Sequence, residues 1–348
     1  MKIGFYNPTL DSLSGGERYM LTLASHWVKH HDVWVFWNDD SIIEKAEKRL
    51  NIDLSGVKIT QNIFLGKNIL KKITLTRRYD LIFVLTDGSI PTTFARHNIL
   101  HFQIPFSHIQ ALPWKLRRYD SIVCNSRFTK NNLDKKLGNN AIVVYPPVAP
   151  ITGSVTREKI ILSVGRFSSY KGGKKQEILI ASFKTALSKG KLNGWKLVLA
   201  GGLLPSDEGY FQKLCKHARG FSIELIPNIT YEKLTNYYKK SRLYWHAAGF
   251  GETDASLMEH FGITTVEAMS AGCVPISYNG GGQPEIISHG KNGLLWNTAD
   301  ELIAYSHDVV NDAGVYKNMQ QEAMVRAKAF RPEIFCAAFD RILSEITS

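Results

Sequence analysis

The sequence predicts an α/β protein of two domains, each a parallel sheet covered by helices. Three observations carry this. The chain has 348 residues, more than a single core usually serves. It is 44% hydrophobic and 21% charged, ordinary for a chain that buries a sizeable core. Short apolar runs alternate along it with longer amphipathic ones, the pattern of strands that need helical crossovers.

Taken in order, Ile3 to Tyr6 reads as a strand, Asn7 to Gly16 as a loop, Glu17 to His30 as a helix and Val33 to Trp37 as a second strand. Further strands are expected at Val57 to Thr60, Leu81 to Leu85, Ile99 to Phe102, Ile122 to Cys124 and Ile142 to Tyr145. Pro146-Pro147 marks a boundary, so residues 1–150 and 151–330 are expected as the two domains, with 331–348 as a helix returning to the first. The second series begins with strand Ile160 to Val164 and a helix near Lys174 to Ser188. It continues with strand Leu197 to Ala200, helix Asp207 to Arg219, strand Ile223 to Ile226, helix Tyr231 to Lys240 and strand Leu243 to His246. Asn292 to Leu295 reads as the last strand, and Thr298 with Glu301 as a capping box of purely structural meaning.

Net charge is +12, and residues 1–150 hold 20 Lys and Arg against 12 Asp and Glu, while 151–348 hold 23 against 19. The surplus of cations early in the chain suits a polyanion or an anionic membrane. Two segments concentrate it, Lys67 to Tyr79 and Trp114 to Tyr119, with basic residues among aliphatic and aromatic ones. Two ordinary helices with solvated cations would read the same way. The opening MKIGFYNP is a strand pattern rather than a secretory leader, and no apolar run approaches the roughly 20 residues of a membrane span. Cys124, Cys215, Cys273 and Cys336 match no zinc or redox spacing, which fits reduced thiols in the cytosol. No metal-ligand cluster is expected.

The stretch from Trp245 to Trp296 organises the rest. Glu259 and Glu267 flank FGITTV; Thr264 is expected as a helix N-cap with Glu267 as its capping-box partner, and Gly272 as the helix end. The amides of His260 to Thr265 would then point out of a helix N-terminus, where phosphates and hydroxyls are easily held. A carboxylate on each side suits a ligand anionic at one end and polyhydroxylated at the other. A capping box alone explains Thr264 and Glu267 with no ligand at all.

Other loops at strand ends add candidates. Arg166 and Lys171, after a strand, can converge on one pyrophosphate, Arg by its planar fork and Lys as a point charge. Gly15-Gly16 before a helix allows close approach to the backbone, and Gly280 to Gly282 would let amides meet an anion. No GxGxxG follows, which disfavours a dinucleotide-dependent dehydrogenase. His101, in a strand, is a candidate for chemistry near neutral pH, with His108 as the other; a core histidine is the plainer reading. Asp87-Gly88 and Asn125-Ser126 also follow strand ends.

The string of Glu259, Phe261-Gly262, Glu267 in VEAM and the run Gly281 to Glu285 resembles the nucleotide-sugar signature of retaining GT-B glycosyltransferases of family 4, E, seven residues, E. The Gly165-Arg166 to Lys171-Gly172 pattern and the Gly15-Gly16-Glu17-Arg18 loop are similar to two further hallmarks of that family. The resemblance implies two Rossmann-like domains with parallel sheets facing a central cleft, the donor bound by the C-terminal one and the acceptor by the N-terminal one. It implies that Glu259 faces the donor sugar, that Glu267 holds the ribose, and that Gly16, Arg166, Lys171, Asn228, Phe261, Gly262, Ile263 and Thr264 line the donor site, with His101 and Glu259 catalytic. The reaction implied is metal-independent, retaining hexosyl transfer (EC 2.4) from a UDP- or GDP-sugar to a hydroxyl of a glycan or lipid-linked acceptor, as in cell-surface polysaccharide or glycolipid synthesis. The nucleotide sugar is a co-substrate, and no further cofactor is implied. The enzyme is expected in the cytoplasm, touching the inner face of an anionic membrane through its basic half; no nucleic acid is expected as partner. EHFGI also resembles mannosyltransferases acting on lipid-linked oligosaccharides. A sugar-nucleotide epimerase of the same fold, or a noncatalytic basic binder, are the other classes open.

Overall fold

A computed structural model describes residues 1–66, 68–153, 155–169 and 173–348. The chain forms two compact units, Met1–Pro147 with Pro332–Ser348, and Val148–Arg331.

The first unit alternates β1 (Lys2–Tyr6), α1 (Gly15–Trp27), β2 (Asp32–Phe36), α2 (Ile42–Leu50), β3 (Lys58–Thr60), α3 (Ile69–Thr76) and β4 (Leu81–Thr86). Then come β5 (His97–Phe102), α4 (Pro113–Leu116), β6 (Ser121–Cys124), α5 (Arg127–Asn132), α6 (Lys135–Gly138) and β7 (Ile142–Val143). The strands pair in parallel in the order β3-β2-β1-β4-β5-β6-β7. Buried on both faces, β4 reads as a continuous apolar run rather than an alternating one.

Helix α1 begins two residues before the expected start. Ser14 is its N-cap and Glu17 its reciprocal partner, with the Ser14 N–H donating to Glu17 Oε2 at 2.8 Å. Gly15 and Gly16 therefore belong to the first helical turn rather than to a loop.

The second unit holds β8 (Glu158–Val164), α7 (Gln176–Ser188), β9 (Lys196–Gly201), α8 (Glu208–Ala218), β10 (Ile223–Pro227), α9 (Tyr231–Lys240) and β11 (Ser241–His246). It continues with α10 (Ile263–Ser270), β12 (Val274–Tyr278), α11 (Gln283–Ile286), β13 (Leu294–Trp296), α12 (Ala299–Asn311) and α13 (Ala313–Ala327). The parallel order is β10-β9-β8-β11-β12-β13. The expected elements omit β12, which Pro275 disguises because it removes a ladder donor from the strand.

The last helix, α14 (Pro332–Thr347), packs in the first unit. Its Phe335 and Phe339 rings meet Tyr19 at 4.7 and 5.8 Å, and the Trp27 indole N–H donates to Asp340 at 2.9 Å. Both phenylalanines are buried, each worth about 1.5–3 kcal/mol of transfer free energy.

Candidate active site

In each sheet the strand order reverses next to its first strand, between β1 and β4 in the first unit and between β8 and β11 in the second. Open α/β sheets bind ligands beyond the carboxyl ends of the strands at such a switch point. In the second unit β8 delivers Arg166 to this edge, and β11 delivers His246 and the stretch that leads to α10.

Glu259 is the electrostatic centre there. Its Oε2 accepts from Lys174 Nζ at 2.6 Å and from His246 Nε2 at 3.0 Å, and its side chain is 16% exposed. Burial alone opposes ionisation, but the Lys174 charge and the His246 hydrogen bond outweigh it and hold the carboxyl well below the ordinary carboxylate range. The next residue, Lys175, pairs with Glu252 at 2.6 Å, so a lysine doublet grips both ends of the long loop before α10. Sequence reasoning missed Lys174 and His246; the signals were a Lys-Lys pair opening a helix and a histidine closing a strand.

Two amides of the Gly280–Gly282 run are taken within the chain, one of them by Glu259. The Gly282 N–H donates to the Glu259 carbonyl at 2.7 Å, and the Gly280 N–H to Tyr278 at 2.9 Å. Gly281 has φ +61, and a Cβ there would run into the Glu259 carbonyl.

At α10 the expected capping box is absent. Gly262 is the N-cap, at φ 120, and its carbonyl accepts from Thr265 and Val266 at 3.0 and 3.2 Å. Thr264 and Glu267 thus lie inside the helix and are held by tyrosines instead. The Tyr244 hydroxyl donates to Thr264 Oγ1 at 2.7 Å and the Tyr238 hydroxyl to Glu267 Oε2 at 2.9 Å. Burial, reinforced by the Glu267 charge, raises the Tyr238 phenol well above its usual range, so it stays a donor. Gly272 at φ +85 ends the helix as expected. Ile263, Thr264 and Glu267 stay half-buried, whereas Phe261 turns into the core against Phe330 at 5.3 Å. Gln283, fully buried, fixes this turn by donating to the Phe261 carbonyl at 3.3 Å and accepting from Thr265 at 3.1 Å.

Arg166 is exposed and lines a cavity of about 390 Å³ with Ser168, Ser169, Leu204 and Asp207. Asn228, at φ 51, spends its side chain on the Leu203 backbone, accepting at 2.9 Å and donating at 3.4 Å. It shapes this rim rather than offering its amide. Lys171 lies outside the described residues.

The first unit has its own cluster at the β1/β4 switch point. His101 has no exposed surface, stacks on Tyr19 at 3.9 Å, and receives the Gln103 Nε2 donor on Nε2 at 2.9 Å. Asn125 Nδ2 in turn donates to Gln103 Oε1 at 2.8 Å. Burial lowers the imidazole pKa to about 3, so the ring is neutral at pH 7. His101 is thus fully enclosed, and its neighbour Gln103 is half-buried. Gly16 lies against the same Gln103: a Cβ on it would be 3.5 Å from Gln103 Cγ. His108 stands on an exposed loop.

Comparison with known proteins bears on the family and the fold. Residues 148–326 match the family model described as glycosyl transferases group 1, and residues 13–150 match the glycosyltransferase family 4 model. A GDP-Man:Man(3)GlcNAc(2)-PP-Dol alpha-1,2-mannosyltransferase of Dictyostelium discoideum is 26% identical over 63% of this chain and 46% of its own length. The human protein of that name is 29% identical over 47% of this chain and 35% of its own. The chain thus spans about half the length, or less, of these relatives. Among solved structures, Anabaena HepE in complex with UDP superposes with a TM-score of 0.76 at 19% identity, covering 99% of this chain and 100% of that one. A sucrose-phosphate synthase from Thermosynechococcus elongatus superposes at 0.68 with 14% identity, covering 100% and 99%. Two parallel-sheet units of the GT-B type, matched along nearly the whole chain by these two models, make it a member of the group 1, family 4 glycosyltransferases.

Proposed function

We propose that the second unit binds a nucleotide-diphosphate sugar and that the protein transfers its hexosyl group, with retention, to a hydroxyl of a glycan or lipid-linked acceptor held by the first. The observation that carries this is the ionised, half-enclosed Glu259 at the switch point, flanked by Lys174 and by the tyrosine-held Thr264 and Glu267 of α10. Glu267 takes the ribose hydroxyls, Glu259 the sugar, and Arg166 and Lys174 the diphosphate charge that grows as the sugar leaves. These cations supply the neutralisation that a metal would otherwise give, so the reaction runs in chelator.

Retention follows a front-face route, in which the leaving phosphate accepts the acceptor proton. A double displacement is disfavoured because Glu259 Oε2 is engaged by two donors and Glu267 by Tyr238, which blunts both as nucleophiles. In the first unit neutral His101 orients Gln103 towards the acceptor. The names of the relatives favour a GDP-sugar and a lipid-linked acceptor.

Thermal unfolding with UDP-, GDP- and ADP-sugars tests the reading, since a ligand at 100 times its Kd stabilises the folded state by about 2.7 kcal/mol. A shift with one nucleotide class, lost in Glu267→Ala, is expected. No shift with any class overturns it, and release of an altered sugar nucleotide without acceptor replaces it with epimerisation.

A further inference from the structure

Large apolar side chains stand in water on one part of the first unit. Leu65 is 68% exposed, Leu70 71%, Leu112 56% and Trp114 43%. Leu65 and Leu70 lie just before and within α3, and Leu112 and Trp114 at the start of α4. The two helices share a neighbour. The Phe94 N–H donates to Thr76 Oγ1 of α3 at 2.9 Å, and the Phe94 ring lies 6.5 Å from that of Trp114 in α4. Leu75 and Leu116, the inward residues of α3 and α4, pack against one common core. The leucines and the tryptophan on their outer faces therefore have no core left to meet.

Charge singles out the same surface. Residues 68–79 and 112–119, which hold the two helices, contain seven Lys or Arg and no Asp or Glu. Among the described residues no carboxylate pairs with Lys71, Lys72, Lys115 or Arg117. Lys72 is pushed down first by burial and then by the charge of Lys115, so the two helices bring like charges together. An ordinary soluble surface scatters its leucines and mixes both signs. Nucleic acid would call for several open stacking rings, yet among the described residues Trp114 is the only exposed aromatic ring of this face, and it already lies beside Phe94. Apolar tips ringed by long cationic side chains match the interface of an anionic bilayer, where apolar groups enter the acyl boundary and ammonium and guanidinium groups meet phosphates.

We propose that the α3–α4 face of the first unit docks on an anionic lipid bilayer, with Leu65, Leu70, Leu112 and Trp114 as its apolar contacts and Lys71, Lys72, Lys115 and Arg117 on the headgroups. Among the described residues no helix is long and apolar enough to cross a membrane. The docking is independent of the donor assignment, and its test reads neither turnover nor nucleotide.

The experiment is co-sedimentation of the full chain with vesicles of phosphatidylcholine alone or mixed with phosphatidylglycerol. Partition into the mixed vesicles is expected to exceed that into neutral ones about tenfold and to fall with salt. The double variant Leu70→Ser, Trp114→Ser keeps its charge and is expected to lose about tenfold in partition. Val325→Ser, at an apolar residue 58% exposed in the second unit, is expected to bind like the wild type. Unchanged unfolding midpoints verify that each variant is folded, and Lys71→Gln with Lys115→Gln supplies a milder second test through a weaker salt dependence. Equal binding of the apolar double variant and the wild type, equal loss in Val325→Ser, or tighter binding to single-stranded nucleic acid than to vesicles overturns the proposal.

Discussion

Lys174 Nζ lies 2.6 Å from Glu259 Oε2, and this pair ties the start of α7 to the residue that precedes the α10 turn. Removing one partner of a fully buried pair costs about 3–5 kcal/mol, because the other charge stays buried alone. Lys174 is 31% exposed and Glu259 16%, so solvent screens part of it and about 1–3 kcal/mol is the fitting range. Lys174→Met is therefore expected to lower stability by that amount and to weaken nucleotide-sugar binding about tenfold, with Lys174→Arg restoring most of both. Urea unfolding and donor titration check it; unchanged affinity in Lys174→Met would remove the lysine from the site.

Tyr238 is expected to act through Glu267. Tyr238→Phe removes the hydroxyl that donates to the carboxylate at 2.9 Å while keeping the ring in the core. The carboxylate loses a charge-assisted hydrogen bond of about 1.5–3 kcal/mol. Donor affinity should fall about tenfold. Glu267→Gln keeps a hydrogen-bonding group in place and should fall less than Glu267→Ala. Titration of all three variants against one nucleotide sugar gives the order; Tyr238→Phe with wild-type affinity would make the tyrosine purely a packing residue.

Acid should weaken the first unit through His101. Burial holds its folded pKa at about 3, below the unfolded value of about 6.5, so between these values the unfolded chain binds a proton that the folded one does not. The stability from this group is complete above pH 6.5 and falls by up to about 1.4 kcal/mol per pH unit on the way down. Glu259, held below the ordinary carboxylate range, adds a second loss that begins only near pH 4.3, its unfolded value, and continues as pH falls. His101→Gln is expected to flatten the curve from pH 6.5 down to about 3, leaving the Glu259 loss as the slope that remains below about pH 4.3. Unfolding midpoints measured across pH decide; an unchanged slope in that variant places the acid sensitivity elsewhere.

Much of this fold was legible because parallel strands buried on both faces are short apolar runs between amphipathic ones, as Leu81–Thr86 and Leu197–Gly201 show. Strand β12 was not, since Pro275 breaks the pattern that a ladder strand usually has. The two glutamates were found by their spacing, but the spacing was given the wrong local reason. Gly262 takes the N-cap by virtue of a backbone angle that the letters Gly-Ile-Thr-Thr do not specify, and Thr264 then answers to Tyr244, twenty residues away. Lys174 and His246 come to Glu259 from the loop before α7 and from β11, and contacts of that range are set by sheet order rather than by neighbouring letters. His101 was marked for its chemistry, while its strand position put the ring inside and left Gln103 as the more accessible group.

Gly281 offers a test of how closely the glycine run supports Glu259. At φ +61 any side chain is strained, by about 1 kcal/mol for alanine, and here the Cβ would also meet the Glu259 carbonyl. Gly290, at φ +78, shares the strain but has nothing within 4 Å of its Cβ position. Gly290→Ala should therefore cost about 1 kcal/mol and leave donor binding intact. Gly281→Ala should cost about 2–4 kcal/mol, because backbone rather than a flexible side chain has to move, and it should shift Glu259 enough to weaken the donor as well. Urea unfolding of the two variants side by side isolates the contact from the dihedral. Equal losses would mean that Gly281 is required for its backbone angle alone and that Glu259 is positioned by Lys174 and His246 without it.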